Sequence, residues 1–185
     1  RSHAGVAGLG VELEVCGACH AEAAASQARS VHARAALKGD PLAPGCIDCH
    51  GVHDILSSHD SRAPTEKLNV PQLCGSCHQE GTEVSERRHI PEERILENYS
   101  QSIHGQGLFK MGLRVTAVCT SCHESHLILD VNHPESSISP ANVAATCTEC
   151  HSRIEQVHVQ VIDGQLWETE PQKIPSCVDC HRPHK

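Results

Sequence analysis

Twelve cysteines are the residues of this chain whose types and spacing point most directly to chemistry. They form six pairs, each a C-x-x-C followed at once by histidine, and no cysteine is left over. Two thiols at this spacing can reach the two vinyl groups on one edge of a porphyrin, and the next histidine can then bind the iron. The six sets are Cys16, Cys19 and His20; Cys46, Cys49 and His50; Cys74, Cys77 and His78; Cys119, Cys122 and His123; Cys147, Cys150 and His151; Cys177, Cys180 and His181.

Three other uses of paired cysteines explain this pattern less well. A disulfide framework is typical of cysteine-rich chains, but it has no need of a histidine after each pair. Structural zinc takes C-x-x-C pairs two at a time and does not require histidine at one fixed offset. Iron–sulfur clusters use four thiolates at cluster spacings. The constant histidine therefore favours six c-type haems, each bound through two thioethers and one proximal imidazole.

The interior that such a chain can build is unusual. Only three aromatic residues, Tyr99, Phe109 and Trp167, are present among 185 residues. Aromatic side chains normally supply much of the buried area of a core, so we expect the porphyrins to fill the interior and to touch one another. The fold class expected is mostly α-helix and irregular coil around a haem stack, with little or no β-structure.

The six motifs are organised as internal repeats. Their first cysteines are separated by 30, 28, 45, 28 and 30 residues. Alternate motifs carry a second histidine three residues after the first, and these H-x-x-H histidines are His53, His126 and His184. Residues 1–185 are therefore predicted to be one domain of three two-haem repeats at about 16–53, 74–126 and 147–184.

Other features recur between the paired motifs. Ser30-Val31-His32 precedes Cys46, and Ser102-Ile103-His104-Gly105 precedes Cys119. The third repeat has Ile162-Asp163-Gly164 at this place, so its histidine is replaced, and His158 lies five residues upstream. In the linkers, Ile55-Leu56 and Asn69-Val70 match Ile128-Leu129 and Asn142-Val143.

Secondary structure is expected to be modest. Residues 19–37 are alanine-rich and favour helix, residues 91–104 have apolar positions at helical spacing, and 147–162 form a third candidate helix. Residues 57–73 and 130–146 contain Ser, Pro, Asp and Asn and are predicted to be loops.

A second axial ligand decides whether each iron only passes electrons or also binds substrate. Ten histidines remain after the six proximal ones, so every haem can be bis-histidine. An H-x-x-H histidine cannot easily reach the far face of its own haem, so it is expected to serve a neighbouring one; the pairing itself is left open. The distal ligands predicted from repeat position are His32, His53, His104, His126 and His184, with His158 as the sixth and His89 as its alternative.

Four remaining side chains are weaker candidates. His59 and His133 lie in predicted loops, do not align with each other, and are expected to be surface residues. Met111 could serve at most one iron. His3 is undecided, and Arg1-Ser2-His3 is similar to the end of an H-x-x-H motif, which suggests a further motif upstream.

Charge and hydropathy limit the partners. A formal net charge of −8 argues against nucleic acid, which binds basic faces. No stretch approaches the 18 consecutive apolar residues that would predict a membrane-spanning helix.

With these motifs, essentially the whole chain resembles the multihaem cytochromes c of anaerobic respiration. The C-x-x-C-H motifs carry the resemblance, together with the H-x-x-H motifs and the run from Ser102 to Gly105. Similar proteins include periplasmic electron donors, outer-membrane conduits and extracellular cytochromes that form conductive filaments. The resemblance implies closely spaced low-spin haems, redox proteins as partners, and export to the periplasm or the cell surface.

The function expected is electron transfer without catalysis, along six closely spaced haems. A soluble shuttle and a protomer of a filament, with haems continuing between copies, both remain open. The alternative is a reductase of small nitrogen or sulfur oxyanions with one open haem. It is disfavoured because no motif is C-x-x-C-K and the chain is short.

Overall fold

The computed structural model describes residues 8–88, 90, 92, 94–153 and 177–185. By contact, the chain divides into two compact units. The first comprises residues 1–129 with His184 and Lys185, and the second comprises residues 130–183. The first two predicted repeats fall in the first unit, and so does His184 of the third.

Short helices joined by turns make up the structure, and the described residues contain no strand. This agrees with the expected class of helix and coil. The helices of the first unit are α1 (Leu9–Gly17), α2 (Ala21–Arg29), α3 (Val31–Leu37), α4 (Cys46–His50), α5 (Val70–His78), α6 (Glu83–Arg88), α7 (Ile95–Gln101), α8 (Ile103–Phe109) and α9 (Cys119–His123). Those of the second are α10 (Val143–Thr148) and α11 (Cys177–Cys180).

The helix predicted over residues 19–37 is in fact two helices, because the chain breaks at Ser30. Ser30 is extended, with ψ of 162°, and its Oγ accepts a 3.0 Å hydrogen bond from the amide of Ala33. Ser102 does the same in the second repeat, where its Oγ accepts from Gly105 at 3.0 Å. These N-caps end one helix and begin the next, so the helix predicted over 91–104 also ends at this serine.

Two other predicted boundaries are wrong. The predicted loops 57–73 and 130–146 do consist largely of turns, but α5 begins at Val70 and α10 at Val143. Helix α1 was not predicted at all. The candidate helix over 147–162 coincides with α10 only at its start, and residues 154–162 lie outside the described residues.

Corresponding asparagines hold the two linkers in the same local geometry. The Asn69 side-chain amide donates to the carbonyls of Ser61 and Ala63, both at 2.9 Å. The Asn142 amide donates to carbonyls at the same two offsets, those of Pro134 at 2.8 Å and Ser136 at 2.9 Å. The linker repeat seen in the sequence is therefore also a repeat of backbone structure.

The hydrophobic core of the first unit is small. Four buried side chains form it, namely Val70, Tyr99, Leu108 and Val118, and two cysteines of C-x-x-C-H motifs, Cys74 and Cys119, pack against it. Tyr99 also donates a 2.9 Å hydrogen bond from its hydroxyl to the carbonyl of Ala117. This bond fixes the chain two residues before Cys119. The core thus serves mainly to position the third and fourth motifs.

Candidate functional site

The second and fourth C-x-x-C-H motifs lie on short helices whose starts are capped in a similar way. In α4, the amide of Gly45 donates to Asp48 Oδ2 at 2.8 Å. In α9, the amide of Val118 donates to Ser121 Oγ at 3.0 Å. Asp48 and Ser121 each occupy the second variable position of C-x-x-C. Each cap begins a single helical turn, and this turn contains the two thiols and the histidine of the motif.

A buried carboxylate supports the second motif from another helix. Glu12 of α1 is 8% exposed, and its Oε2 accepts hydrogen bonds from the amides of Cys46 at 2.6 Å and Ile47 at 3.3 Å. A negative charge at the amino end of a helix is also favourable for the helix dipole. Glu12 was missed in the sequence analysis, because nothing local to Cys46 indicates a cap from 34 residues away.

Cysteines of successive motifs lie side by side in the first unit. Burial, and then the nearby Cys16 and Glu12, raise the pKa of the Cys46 thiol to about 11. The interaction between the neighbouring Cys74 and Cys119 thiols raises the pKa of Cys74 and lowers that of Cys119. Within each of the first two repeats, the two attachment sites therefore meet at their first cysteines.

The second and third motifs are also neighbours. Burial, and then the nearby Asp48 and Cys77, raise the pKa of Cys49. Cys77 belongs to the next motif along the chain, so the attachment sites of the first four motifs follow one another in the order of the sequence.

Three pairs of histidines meet in the described part of the first unit. His50 and His126 have ring centroids 6.0 Å apart and ring planes inclined by 17°. His123 and His184 have centroids 6.0 Å apart and planes inclined by 9°. His32 and His78 have centroids 5.9 Å apart and planes inclined by 55°. Each pair joins one predicted proximal ligand to one predicted distal ligand, and in each pair the two come from different repeats.

The separation of about 6 Å fits an iron ion between the two rings. An imidazole nitrogen lies about 2.0 Å from a first-row metal to which it is bound, and the ring centroid about 1.1 Å further back. Two rings on opposite sides of one ion therefore have centroids about 6.2 Å apart. Packed aromatic rings have centroids 4.5–7 Å apart, so the observed spacing is common to a packed pair and to two ligands of one ion.

Burial keeps several of these imidazoles neutral, the form that binds metal. Burial, with a smaller contribution from His78, lowers the pKa of His32 to about 4. Burial, with His184 and His78 nearby, lowers that of His123 to about 4. Burial also lowers the pKa values of His50 and His78.

One ring nitrogen of His184 also contacts a carboxylate. Its Nδ1 lies 3.5 Å from Oε2 of Glu92, which leaves Nε2 available to a metal. Metal-binding histidines commonly place their other nitrogen against a carboxylate, which fixes the ring orientation. The contact with Glu92 would orient the ring of a metal-bound His184 in the same way.

The other predicted ligands have different surroundings. His104 lies half-buried on α8, at the position that His32 has on α3. His20, His53, His151 and His181 are exposed. His158, His89 and His3 lie outside the described residues. Of the two histidines expected at the surface, His59 is exposed and His133 Nδ1 accepts a 3.2 Å hydrogen bond from the Glu135 amide.

No family model, curated protein or solved structure matches the chain. Among the described residues, no cluster of three or more His, Cys, Asp or Glu side chains is placed to hold a metal ion. A haem iron needs only two protein ligands, since the porphyrin supplies the other four, so paired histidines are the relevant geometry. The part of the chain that the structure describes has no helix with the length and apolarity required to cross a bilayer.

Proposed function

We propose that the chain holds six c-type haems through its C-x-x-C-H motifs and conducts electrons along them. The observation that carries the proposal is the pairing of proximal and distal histidines at about 6 Å, in three places, between different repeats. A haem bound at each motif would supply an iron able to alternate between the ferric and ferrous states.

Ligation from both sides would keep each of these irons closed to substrate. His126 would serve the haem at Cys46 and Cys49, His184 that at Cys119 and Cys122, and His32 that at Cys74 and Cys77. Two imidazoles held by different segments of the chain would also keep the coordination unchanged when the iron changes its charge, which favours electron transfer over catalysis. The reductase alternative gains no support from any described contact.

The contacts between cysteines support a continuous path. Thioethers at Cys16 and Cys46, and at Cys74 and Cys119, would bring the edges of neighbouring porphyrins together, because each sulfur is bonded to the porphyrin edge. The proximity of Cys49 to Cys77 would link the two pairs. The first four haems would then conduct in the order of the sequence.

Exposed apolar side chains are consistent with haem as the main interior. Val15 is 67% exposed, and Val115 is 83% exposed. Such residues are expected to lie against porphyrin, which would give them the burial that the small protein core does not provide. We further propose export, since covalent attachment of haem in similar proteins occurs outside the cytoplasm.

The proposal is tested by producing the chain in a bacterial host that attaches haem c to exported proteins. We expect six covalent haems per chain by mass, a low-spin spectrum after reduction, and stepwise oxidation by soluble acceptors. Haem-free protein, or tightly bound zinc at the cysteines, would refute the proposal. Enzyme-like turnover of nitrite, hydroxylamine or sulfite would replace it with the reductase.

A further inference from the structure

The second predicted repeat contains a stretch that the first one lacks. Ser102 follows Cys74 by 28 residues, whereas the equivalent Ser30 follows Cys16 by 14. Helix α6 and the side chain of Glu92 lie in this additional stretch, between α5 and α7. The C-x-x-C-H motifs and the paired histidines lie outside it, so its contacts indicate what it adds to the repeat.

Glu92 is held by the helix that also positions the fourth motif. Its Oε1 accepts a 2.6 Å hydrogen bond from the side-chain amide of Asn98 in α7. The next residue, Tyr99, belongs to the hydrophobic core, and its hydroxyl donates to the carbonyl of Ala117, two residues before Cys119. The carboxylate and the predicted attachment site therefore share one support.

The other carboxylate oxygen of Glu92 faces His184. Its Oε2 lies 3.5 Å from His184 Nδ1, and the two side chains are 40% and 28% exposed, so the contact is partly shielded from water. An imidazole that binds a metal through Nε2 carries its proton on Nδ1, and His184 would donate this proton to Glu92 in a hydrogen bond. The same ring lies opposite His123, with planes inclined by 9°.

A carboxylate on the outer nitrogen of an iron ligand affects the two oxidation states unequally. Its negative charge makes the imidazole a stronger electron donor, and ferric iron, with one more positive charge than ferrous iron, gains more from this donation. Reduction adds one electron to the haem and neither makes nor breaks a bond at the imidazole or the carboxylate. The carboxylate therefore acts on the equilibrium and makes the reduced state less favourable.

We propose that Glu92 is a positioning residue that holds His184 against the haem iron at Cys119 and Cys122 and, through this ring, lowers the reduction potential of that one haem. This rests on the proposed function, since it requires the haem and its second imidazole. The thiols of Cys74 and Cys119 are neighbours, so the lower potential would shift an electron shared by these two haems toward the haem at Cys74. The additional stretch gives the second repeat a control of potential that the first repeat does not contain.

The test compares Glu92→Gln with the control Glu86→Gln in the haem-loaded chain. Both carboxylates lie in the additional stretch, and Glu86 is exposed on α6, so each variant removes one negative charge from the same region. Glutamine at position 92 can still accept the hydrogen bond of His184 through its amide oxygen, so the ligand is retained while the charge is lost.

A redox titration followed by absorbance and electron paramagnetic resonance separates the six haems. In Glu92→Gln, one haem should be reduced at a higher potential, with its equilibrium constant for reduction raised about fivefold, the order of the difference between a charge-assisted and a neutral hydrogen bond. The ferric signal of one low-spin haem should move and the others should stay. Glu86→Gln should match the wild type.

A double-mutant cycle shows whether Glu92 acts through the ring. In the His184→Ala background, Glu92→Gln has no imidazole to act on and should leave every potential where Glu86→Gln leaves it. If the neutral amide does not hold the ring, one high-spin haem that binds carbon monoxide should appear in Glu92→Gln and be absent from Glu86→Gln. That result would equally support a positioning role.

Two results would overturn the proposal. One is a Glu92→Gln protein whose six potentials and ferric signals equal those of Glu86→Gln. The other is the full shift of potential in the His184→Ala background, which would mean that the charge acts on the haem without the ring. Both results include six bound haems and leave the proposed function intact, whereas a chain that acquires no haem would refute the function itself.

Discussion

The amide of Val31 donates a 2.8 Å hydrogen bond to the carbonyl of Ile128, and this bond ties the first predicted repeat to the second. His32 follows Val31 and faces His78, while His126 precedes Ile128 by two residues and faces His50. Each predicted repeat thus places a candidate distal histidine against a candidate proximal histidine of the other. With haem bound, the two reciprocal ligations would make the pair of repeats a single cooperative structure, because neither repeat could open without releasing an iron ligand.

Replacing His126 by alanine should open one haem. The iron at Cys46 and Cys49 would lose its distal imidazole and become high-spin, and reduced protein should gain about one site for carbon monoxide per chain. His59→Ala is the control, since His59 is exposed and outside the three pairs. An unchanged low-spin spectrum in His126→Ala would show that this ring is not a ligand.

Removing the last two residues, His184 and Lys185, should open the haem at Cys119 and Cys122. His184 faces His123 with nearly parallel rings, so its loss leaves that iron with one protein ligand. Removal of Lys185 alone is the matched control and should leave the spectrum unchanged. Equal spectra for the two truncated proteins would contradict the assignment of His184.

Glu12→Ala should destabilise the first unit. The substitution leaves the amides of Cys46 and Ile47 without their acceptor at the start of α4, a loss of about 1–3 kcal/mol. Glu14→Ala removes an exposed carboxylate from the same helix and should have little effect. Unfolding by guanidinium, followed by haem absorbance, measures the difference. Equal unfolding midpoints would show that the cap contributes nothing.

Glu124→Gly should stabilise the chain. Glu124 has φ of 68°, the only positive φ at a non-glycine residue in the described part, and it follows the proximal His123. Gly51 has φ of 81° at the same position after His50. A side chain in this region costs about 1–3 kcal/mol, so the glycine should raise the free energy of unfolding despite its greater freedom when unfolded.

The reverse substitution, of the equivalent glycine by alanine, is the control for the backbone strain at positive φ. Gly51→Ala places a Cβ at the same kind of backbone position and should lower stability by a similar amount. The nearest atom to that Cβ is the Asp54 carbonyl oxygen at 3.8 Å, so crowding adds little. If both variants shift the unfolding midpoint in the same direction, the backbone conformation is not the cause.

The sequence alone led to the proposed haem attachment, because C-x-x-C-H is a local motif. Adjacent residues in one helical turn fix the two thiols and the proximal histidine wherever the rest of the chain goes. The absence of strands in the described part, the linker repeat and the candidate distal histidines also followed from composition and repeat position. Helix boundaries were predicted less well, since capping by Ser30 and Ser102 overrode the helix propensity of the residues around them.

Only the tertiary structure decided which histidine faces which. His126 is three residues from His123 yet faces His50, and His184 is three residues from His181 yet faces His123. Sequence distance carries no information on such pairs, because a ring can approach the far side of a haem only from a different segment of the chain. The packing of the second predicted repeat against the first determines which rings meet. The same packing explains why His126 is half-buried while His53, in an equivalent sequence, is exposed.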